Sequence, residues 1–428
     1  MKLEEAAKYA ADLLLSLPKK SKVRIIGHID ADGICSACIV AIAIARIGYR
    51  FHISIKKTDP DLIKEIEKEE NVLYIFTDIG ASYLKEMERI KTNIIVLEHH
   101  LCNEEDIPSN VMYLNARLYN LDGSKEACGA SVAYSFAIAL DDENVDLSQL
   151  AVAGIYGDKQ KFLGYNKKIV EDGIGGGFID KKEEYIFSGN LKEAIENSIE
   201  PYFTKMNSYI SFLEEIELQP QKKFEELKEE ERKKLLSLLT LKLIEQNVSE
   251  IEWKRKNYYG KDYGNLREMA SKLNACARLN EAGIGISLCL KDKKAIEKAY
   301  MLQEKYRDEI RKEMRSLEKK EPYEMKNFIY FYTDKPPLAG ILAGLSLKYL
   351  PQFKKNKPVI AIAYNEFLDI SGRADEKMVE NGINLGEAMK KAAEKVGGMG
   401  GGHPVAAGAK IKKEMEKVFL EEFDKELE

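Results

Sequence analysis

Three short apolar segments in the first hundred residues each lead directly into an acidic residue or histidine. Residues 23–27, 72–77 and 93–97 have the length and apolar content of buried strands, and residues 34–47 have a helical pattern. Strands that alternate with helices form a largely parallel sheet, and the carboxyl ends of such strands meet at one edge. The sequence therefore predicts an α/β fold that gathers these polar residues along one edge of a sheet.

The first segment is followed by His28, Asp30 and Asp32 at alternate positions, and Gly33 then turns the chain. In extended backbone, alternate residues project to the same side. Two carboxylates and an imidazole held together repel one another or lose solvation at high cost unless a cation compensates them. A lone histidine after an apolar run is more often a core residue. These neighbours favour a metal instead, and the mixed donors suit Mn, Fe, Zn or Co better than Mg or Ca.

The other two segments are also followed by acidic residues or histidines. Asp78 follows the second segment, and Glu98, His99 and His100 follow the third. Asp158 closes a further apolar stretch, whose helix or strand character the sequence leaves open. One strand that ends in Asp is weak evidence, because Asp is common in turns. Several segments that end this way, in order, predict a single shared site.

In this order, the four motifs resemble those of the DHH phosphoesterases. Near the C-terminus, Ser371-Gly-Arg373 and a glycine-rich stretch that ends at His403 resemble the DHH-associated substrate-binding domain. Residues 274–278 resemble the segment that joins the two halves of RecJ-type nucleases. Within the family, the resemblance is to the archaeal RecJ-like exonucleases, of either the Hef-associated or the GINS-associated branch.

Two positions depart from the family pattern. Ala277 stands where the RecJ-type nucleases usually have Gly, and Glu98 replaces the first Asp of the Asp-His-His motif. The resemblance implies that this first acid mainly orients neighbouring ligands. A Glu adds one methylene, so we expect Glu98 to orient the same ligands from a shifted position. Changes of this kind typically cost about 10- to 100-fold in metal affinity or activity.

The resemblance implies two divalent metal ions, Mn²⁺ first of all, with Mg²⁺ or Co²⁺ as substitutes. Asp78 would bridge the ions and His100 would face the substrate phosphate, so these two are the expected catalytic residues. Two cations roughly 3.5–4 Å apart can activate a water and stabilise the attacking and leaving oxygens at phosphorus. The expected ligands are His28, Asp30 and Asp78 for the first ion, and Asp32, Asp78, His99 and Asp158 for the second.

The resemblance also implies a set of substrate-binding residues. Five glycines occupy six positions at 397–402, which would let backbone N–H groups approach a phosphate closely. The alternative interpretation of this stretch is a flexible loop. Guanidinium groups present a bidentate fork to phosphate oxygens, so Arg278 and Arg373 are the expected phosphate clamps. The full expected set is Asn274, Arg278, Ser371, Arg373, Gly400, Gly401, Gly402 and His403.

A chain of 428 residues is too long for one ordinary domain. We expect an N-terminal parallel-sheet DHH catalytic domain in residues 1–175, a helical connecting region in residues 176–320, and a smaller C-terminal α/β DHH-associated domain in residues 321–428. The resemblance places the active-site cleft between the two α/β domains. Residues 293–320 have the pattern of one long helix, and residues 358–364 that of a strand.

Composition narrows the classes of function. The net charge of −5 excludes a globally basic nucleic-acid binder, although a local basic groove remains compatible with it. No apolar run approaches the roughly 20 residues that span a membrane. The first residues carry acids and read as an amphipathic helix rather than a signal peptide. We therefore expect a cytoplasmic protein with no membrane partner.

Three functions are compatible with these features. The leading one is a metal-dependent exonuclease on single-stranded DNA or RNA, with 3′→5′ polarity, in replication or repair. The second is a DHH phosphoesterase that cleaves short oligonucleotides, cyclic dinucleotides or nucleotide 3′-phosphates. The third is a non-catalytic RecJ-like scaffold. Under the first, the partners would be a Hef-type helicase/nuclease or the GINS complex, and the sequence leaves a homo-oligomer open.

Overall fold

The computed structural model describes residues 2–59, 61–69, 73–205, 209–249, 251–354 and 356–428. The chain forms two compact units, the first from Met1–Lys182 and Lys256–Glu304 and the second from Glu183–Arg255 and Lys305–Glu428. Residues 176–320, which the sequence presents as one connecting region, are divided between the two units. Val72, in the second predicted strand, lies outside the described residues.

Helices and strands alternate along much of the chain. The first half contains α1 (Leu3–Leu15), β1 (Lys22–His28), α2 (Ala31–Arg46), β2 (Arg50–Lys56), α3 (Leu62–Ile66), β3 (Leu73–Thr77), α4 (Leu84–Met87), β4 (Asn93–Glu98), β5 (Val111–Asn115), α5 (Gly129–Leu140), α6 (Ser148–Gly157), α7 (Gly164–Gly175), β6 (Ile179–Tyr185), α8 (Leu191–Glu196) and α9 (Tyr209–Glu215). The second half contains α10 (Glu229–Glu245), β7 (Lys254–Gly260), β8 (Gly264–Asn265), α11 (Leu266–Arg278), α12 (Ala282–Cys289), α13 (Lys293–Leu317), β9 (Tyr323–Glu324), β10 (Ile329–Thr333), α14 (Ala339–Tyr349), β11 (Val359–Tyr364), β12 (Leu368–Arg373), α15 (Glu376–Glu380), α16 (Leu385–Lys395), β13 (Met399–His403), β14 (Ala406–Ile411) and α17 (Glu416–Glu426).

The first unit contains a five-stranded parallel sheet in the order β2-β1-β3-β4-β5. Leu73 and Ile75 of β3 join the core on one face, whereas Tyr74 and Phe76 join the core on the other. A sheet buried on both faces explains why its strands read as continuous apolar runs. The strand order reverses between β1 and β3, and open α/β sheets form a crevice at the carboxyl ends of the strands at such a point.

The second unit contains a six-stranded sheet in the order β13-β14-β12-β11-β10-β9. The β10–β11 pair is parallel and the other pairs are antiparallel. Val359 and Ala361 of β11 pack with α14 on one face, and Ile360 and Ile362 pack with α16 and α17 on the other. The glycine-rich strand β13 therefore lies at one edge of a sheet that has helices on both faces.

The predicted fold class is confirmed, with a parallel N-terminal sheet and a separate C-terminal α/β sheet. The long helix is confirmed as α13, and the stretch before Asp158 is helical, as α6. No described helix is long and apolar enough to cross a membrane.

One local prediction and one alternative interpretation are wrong. Residues 176–320 are not wholly helical, since β6 and β7 lie among them. Both strands carry exposed charged residues, which masked their extended character in the sequence. The glycine-rich stretch is the edge strand β13 rather than a loop. An added Cβ at Gly400 would lie 2.4 Å from the carbonyl oxygen of Met389 in α16. The absence of side chains therefore lets the helix pack directly on this strand.

Candidate metal centre

The acids and imidazoles predicted from the sequence meet at the carboxyl ends of neighbouring strands in the first unit. His28 ends β1, Asp78 directly follows β3, and Glu98 ends β4. Asp78 has a φ of 59°, the left-handed region that an Asp tolerates better than most residues. Its backbone N–H donates to the carbonyl of Leu97 at 2.9 Å. The turn after β3 is thus held against β4, which directs the Asp78 carboxylate towards both neighbouring strands.

One group of possible metal ligands, His28 and Asp30, lies on the Oδ2 side of Asp78. Nδ1 of His28 lies 3.5 Å from Oδ2 of Asp78 and 2.8 Å from Oδ2 of Asp30. The other oxygen of Asp30 accepts from the backbone N–H of Gly33 at 2.9 Å and caps α2. Asp30 therefore has a structural role through one oxygen and directs the other at the cluster. The three residues can each offer one atom to a common metal ion.

A second group surrounds the other oxygen of Asp78. Nε2 of His99 lies 3.0 Å from Oδ1 of Asp78 and 3.9 Å from Oδ2 of Asp32, and these three residues could also share an ion. Oδ2 of Asp158 lies 3.9 Å from the other ring nitrogen of His99, Nδ1. Asp158 is thus beside the group, on the Nδ1 side of the His99 ring.

The hydrogen bond of His99 shows how this group fits a cation. Nδ1 lies 2.5 Å from the carbonyl oxygen of Gly123, and because a carbonyl only accepts, Nδ1 carries a proton and donates it. In a neutral imidazole, Nε2 then presents a lone pair to Oδ1 of Asp78. Two lone pairs at 3.0 Å repel each other unless a proton or a metal ion lies between them. An imidazole whose distal N–H is held by a carbonyl is the usual arrangement of a metal-bound histidine.

The pKa values of the cluster also indicate that it needs a proton or a metal ion to balance its charges. Burial raises the pKa of Asp32 well above its usual value, and the charges of Asp78 and Asp158 raise it further. Burial, opposed by His99 and reinforced by Asp78, raises the pKa of Asp158 to about 6. Burial alone would lower the pKa of His28 and His99, but the surrounding carboxylates raise both. Without a cation the cluster retains protons, and a divalent ion can replace them.

Asp32 is held at the N-terminus of α5. Its carboxylate accepts from the backbone N–H groups of Gly129 at 2.7 Å and Ala130 at 2.9 Å, and from the thiol of Cys128 at 3.0 Å. An added Cβ at Gly129 would lie 2.9 Å from Asp32, and one at Gly154 would lie 2.7 Å from it. The buried carboxylate is therefore stabilised by backbone donors and by the helix dipole. The sequence reasoning did not identify these glycines, because only the folded chain brings them to Asp32.

Glu98 receives hydrogen bonds from three parts of the centre. Its carboxylate accepts from the backbone N–H of Ala81 at 3.1 Å, of His99 at 2.8 Å and of His100 at 3.1 Å, and Nδ1 of His100 lies 2.9 Å away. Burial would raise the pKa of Glu98, but His100 and His99 lower it below its usual range. Glu98, Asp78 and His100 could also offer one atom each to a common ion. The longer side chain thus links the turn after β3 to both histidines.

Two predicted substrate-binding residues belong to the first unit. The side-chain oxygen of Asn274 in α11 accepts from the backbone N–H of Ala31 at 3.1 Å, so it holds the segment between Asp30 and Asp32. Arg278 is exposed at the end of α11. Burial alone would raise the pKa of Asp30, but the charges of His28 and, more weakly, of Arg278 hold it well below its usual value.

The other predicted substrate-binding residues lie on one sheet of the second unit. Arg373 of β12 and His403 of β13 both pair with Ala406 of β14, and Ser371 and Gly401 both pair with Gly408. Directly opposed residues on adjacent strands project to the same face. The guanidinium of Arg373 lies against Gly340 of α14, where an added Cβ would be 2.6 Å from Nη2, and Nη1 donates to the carbonyl of Gly372 at 2.7 Å. The structure therefore places these side chains on the α14 face, whereas Gly400 faces α16.

Several residues that the sequence analysis did not identify hold the histidines or Asp158 by hydrogen bonds. Nδ2 of Asn115 donates to the carbonyl of His100 at 2.8 Å, and Nε of Arg117 donates to the carbonyl of His99 at 3.0 Å. Nε2 of Gln160 donates to Asp158 at 2.8 Å. Their only sequence signal is nearness to a strand end or to Asp158, which is too common to identify them in advance.

Comparison with known proteins identifies two domains in the chain. The model of the DHH family, N-terminal domain, matches residues 22–155, and that of the DHHA1 domain matches residues 335–428. The chain is 30% identical to the uncharacterized protein MJ0831 of Methanocaldococcus jannaschii over 417 residues, which cover 94% of this chain and 92% of that protein. It is 24% identical over 179 residues to the single-stranded-DNA-specific exonuclease RecJ of Thermus thermophilus, which cover 39% of this chain and 26% of RecJ.

Solved structures show the same fold. RecJ of Thermus thermophilus in complex with Mn²⁺ matches with a TM-score of 0.64 at 18% identity, over 99% of this chain and 55% of that one. This chain thus spans about half the length of that RecJ. CDC45 from Entamoeba histolytica matches with a TM-score of 0.66 at 11% identity, over 99% and 97% of the two chains. The sheet topology, the two domain matches and these relatives together show that the chain belongs to the DHH family and is a RecJ-like protein with a DHH domain followed by a DHHA1 domain.

Proposed function

We propose that this protein hydrolyses phosphodiester bonds of single-stranded nucleic acid, DNA or RNA, at a two-metal centre in its first unit. The carboxylate of Asp78 is the observation that carries the proposal. Its Oδ2 faces His28, which forms one group with Asp30, and its Oδ1 faces His99, which forms the other group with Asp32. One carboxylate with each oxygen directed at a separate donor group suits a ligand shared by two ions. The DHH family and the RecJ-like fold support the phosphoesterase chemistry.

The donor set suits two divalent ions, Mn²⁺ above all, with Mg²⁺ or Co²⁺ as substitutes. Once bound, such a pair would activate a water and stabilise the charge that develops on the phosphate oxygens. We assign His28, Asp30 and Asp78 to one ion and Asp32, Asp78, His99 and Asp158 to the other.

The remaining polar residues of the centre orient other groups or contact the substrate. Glu98 accepts from Nδ1 of His100 and so orients that ring, whose Nε2 then points away from the acid. We propose that His100 contacts the substrate phosphate there. Asn274 holds the backbone between Asp30 and Asp32, so its contribution to substrate binding would be indirect.

We further propose that the second unit grips the substrate through its phosphates. Arg373, His403 and Ser371 share one face of a sheet with Gly401, and a guanidinium can bind two phosphate oxygens at once. Arg278 would add a phosphate contact from the first unit. Gly400 and Gly402, which we expected to join this contact, are first of all required by close backbone packing.

Degradation of a strand labelled at either end tests the proposal. A 30-mer labelled at the 5′ or 3′ end is incubated with the protein and Mn²⁺, beside a duplex of the same sequence and a dinucleotide. We expect stepwise shortening from the 3′ end of the single strand, little attack on the duplex, and no activity after chelation. Cleavage of the dinucleotide alone would identify a short-oligonucleotide phosphoesterase instead. Mn²⁺ binding without any cleavage, or no Mn²⁺ binding at all, would favour the scaffold alternative, in which a Hef-type helicase/nuclease or GINS partner would matter more than chemistry.

A further inference from the structure

Gln160 connects two of the proposed metal ligands that come from different parts of the chain. Its side chain is 7% exposed. Nε2 donates to Oδ2 of Asp158 at 2.8 Å and to the carbonyl oxygen of Gly123 at 2.9 Å. The same carbonyl accepts from Nδ1 of His99 at 2.5 Å. A single amide and a single carbonyl therefore set the relative positions of Asp158, at the end of α6, and His99, after β4.

The orientation of this amide is fixed by its other partners. Nδ2 of Asn166 donates to Oε1 of Gln160 at 2.9 Å and to the carbonyl of Lys161 at 3.0 Å. Oδ1 of Asn166 accepts from the hydroxyl of Ser131 at 2.6 Å. A flipped Gln160 would place its oxygen against a carbonyl and a carboxylate, and its NH₂ against another NH₂. The chain Ser131–Asn166–Gln160 can therefore adopt one arrangement only, and Asn166 and Ser131 are fully buried.

This network determines which atoms of Asp158 and His99 are hydrogen-bonded within the protein. One oxygen of Asp158 is occupied by Gln160, and Nδ1 of His99 is occupied by Gly123. The carbonyl of Gly123 fixes the ring of His99 and raises its basicity as a ligand, and the amide of Gln160 fixes the orientation of the Asp158 carboxylate. Asp158 caps α6 and its side chain is 28% exposed, so the hydrogen bond from the buried Gln160 limits the orientations of its carboxylate.

We propose that Gln160 is a positioning residue of the metal centre, which holds Asp158 and His99 in register for one of the two ions. The proposal rests on the proposed function, since it assumes that these two residues bind a metal. It predicts that loss of the amide weakens the binding of one ion far more than that of the other. Among the hydrogen bonds of the described residues, Gln160 has no contact with His28, Asp30 or Asp78, the proposed ligands of the other ion.

A matched pair of variants tests this role. Gln149 lies in the same unit, is fully buried, and donates to Oδ2 of Asp262 at 2.9 Å and to the carbonyl of Asp146 at 3.1 Å. Gln160→Met and Gln149→Met therefore each remove a buried amide that holds an aspartate, at nearly constant volume. Titration of the full chain with Mn²⁺ by calorimetry, with thermal unfolding of the metal-free protein measured in parallel, separates metal affinity from stability.

We expect Gln160→Met to weaken one of two Mn²⁺ sites by about 10- to 100-fold, and to lower kcat more than it raises KM for a single strand. Gln149→Met should lose stability without a change in Mn²⁺ affinity. Should Gln160→Met fail to fold, Gln160→Asn, which keeps the amide on a shorter stem, should show a smaller loss at the same site.

Equal Mn²⁺ affinity in the two variants and the wild type would overturn the role of Gln160 and leave the proposed function intact. Absence of Mn²⁺ binding in the wild-type protein would instead overturn the proposed function, and this role with it.

Discussion

The metal centre of the first unit and the Arg373 face of the second unit are built in opposite ways. In the first unit, the middle of the cluster is buried and consists of Asp32, Asp78, Glu98 and His99. Asp32, for example, is held there by backbone donors at the start of α5. In the second unit, Arg373 and His403 are partly exposed side chains on adjacent parts of one sheet. Their surroundings are dictated by glycines that let helices approach the backbone.

This difference indicates a division of work. A cluster of buried like charges is costly to maintain unless a proton or a ligand compensates it, so the first unit is suited to a cation. Partly exposed cationic and small residues on a sheet cost little, and they suit a substrate that is bound and released. Chemistry is therefore expected to depend on the first unit, and strand affinity on the second. Substitutions in each unit can test that separation, and the largest effect is expected at the ligand shared by both ions.

Asp78→Asn should reduce cleavage by more than about 10³-fold, because metal assistance contributes several kcal/mol and each 1.4 kcal/mol is a tenfold change in rate. Asn keeps the shape of the side chain and tolerates the left-handed φ of 59°. The metal-free protein should unfold at the same temperature or higher, since one charge is removed from a repelling cluster. Cleavage and thermal unfolding with and without Mn²⁺ are the measurements. Near wild-type turnover would contradict the shared-ligand assignment.

The order of the motifs predicted this cluster because parallel strands end at one edge. Asp78 and His99 could be placed together from their strand-end positions alone. The supports could not, since Gly129 and Gln160 lie far from Asp32 and His99 in the chain and are common residue types. The loop alternative for the glycine-rich stretch could not be excluded from the sequence for a related reason. Glycine permits both loops and close packing, and only the packing of α16 against β13 distinguishes the two.

Arg373→Ala should weaken binding of a single strand by about 10- to 150-fold, because loss of a charged hydrogen-bonding group costs roughly 1.5–3 kcal/mol. Mn²⁺ affinity should stay unchanged. Arg373→Lys, which keeps the charge without the bidentate fork, should show an intermediate loss. Strand binding by fluorescence anisotropy and Mn²⁺ titration on the same samples decide the matter. Lost metal binding with intact strand binding would reverse the roles of the two units.

Glu98→Asp should change activity by less than about 100-fold in either direction, as expected of a residue that orients ligands. The shorter side chain restores the family's acid, but it reaches the N–H of Ala81 less well than Glu98 does at 3.1 Å. Steady-state cleavage and Mn²⁺ affinity are to be compared with those of the wild type. Complete loss of Mn²⁺ binding would indicate that Glu98 contacts an ion directly, which the proximity of Asp78 and His100 would permit.

The metal-free protein should become less stable as the pH rises from about 5 to 8. The pKa of Asp158 is raised to about 6 from 3.8, and those of Asp32, His28 and His99 are also raised. The folded chain thus binds more protons than the unfolded chain in this window, so stability falls with pH. The lowered pKa values of Asp30 and Glu98 act only below their ordinary values of 3.8 and 4.5.

Thermal unfolding in a chelator, compared with unfolding in Mn²⁺, measures this effect. A change of about 1 kcal/mol moves the midpoint of a domain of this size by about 2–4 °C. Mn²⁺ should stabilise increasingly as pH rises, because it replaces the protons of the cluster. Asp158→Asn should flatten the pH dependence in the chelator. A metal-free midpoint that rises between pH 6 and 8 would contradict the arrangement of the cluster.

The smallest expected effect distinguishes the two faces of β13. Gly400→Ala places a methyl group against Met389 and Ala393 of α16, and Gly401→Ala forces an L-residue to a φ of 156° but meets no atom within 4 Å. Overpacking and backbone strain each cost about 1–3 kcal/mol, so the two variants should lose comparable stability.

The two variants should differ in strand binding. Only the methyl group at 401 lies on the face of Arg373, because Gly401 and Ser371 both pair with Gly408. Well below the unfolding temperature, Gly401→Ala should therefore weaken single-strand binding by a few-fold, and Gly400→Ala should leave it unchanged. Equal strand affinities in both variants would show that the glycines serve packing alone, and the substrate-binding role would then rest on Arg373 and His403.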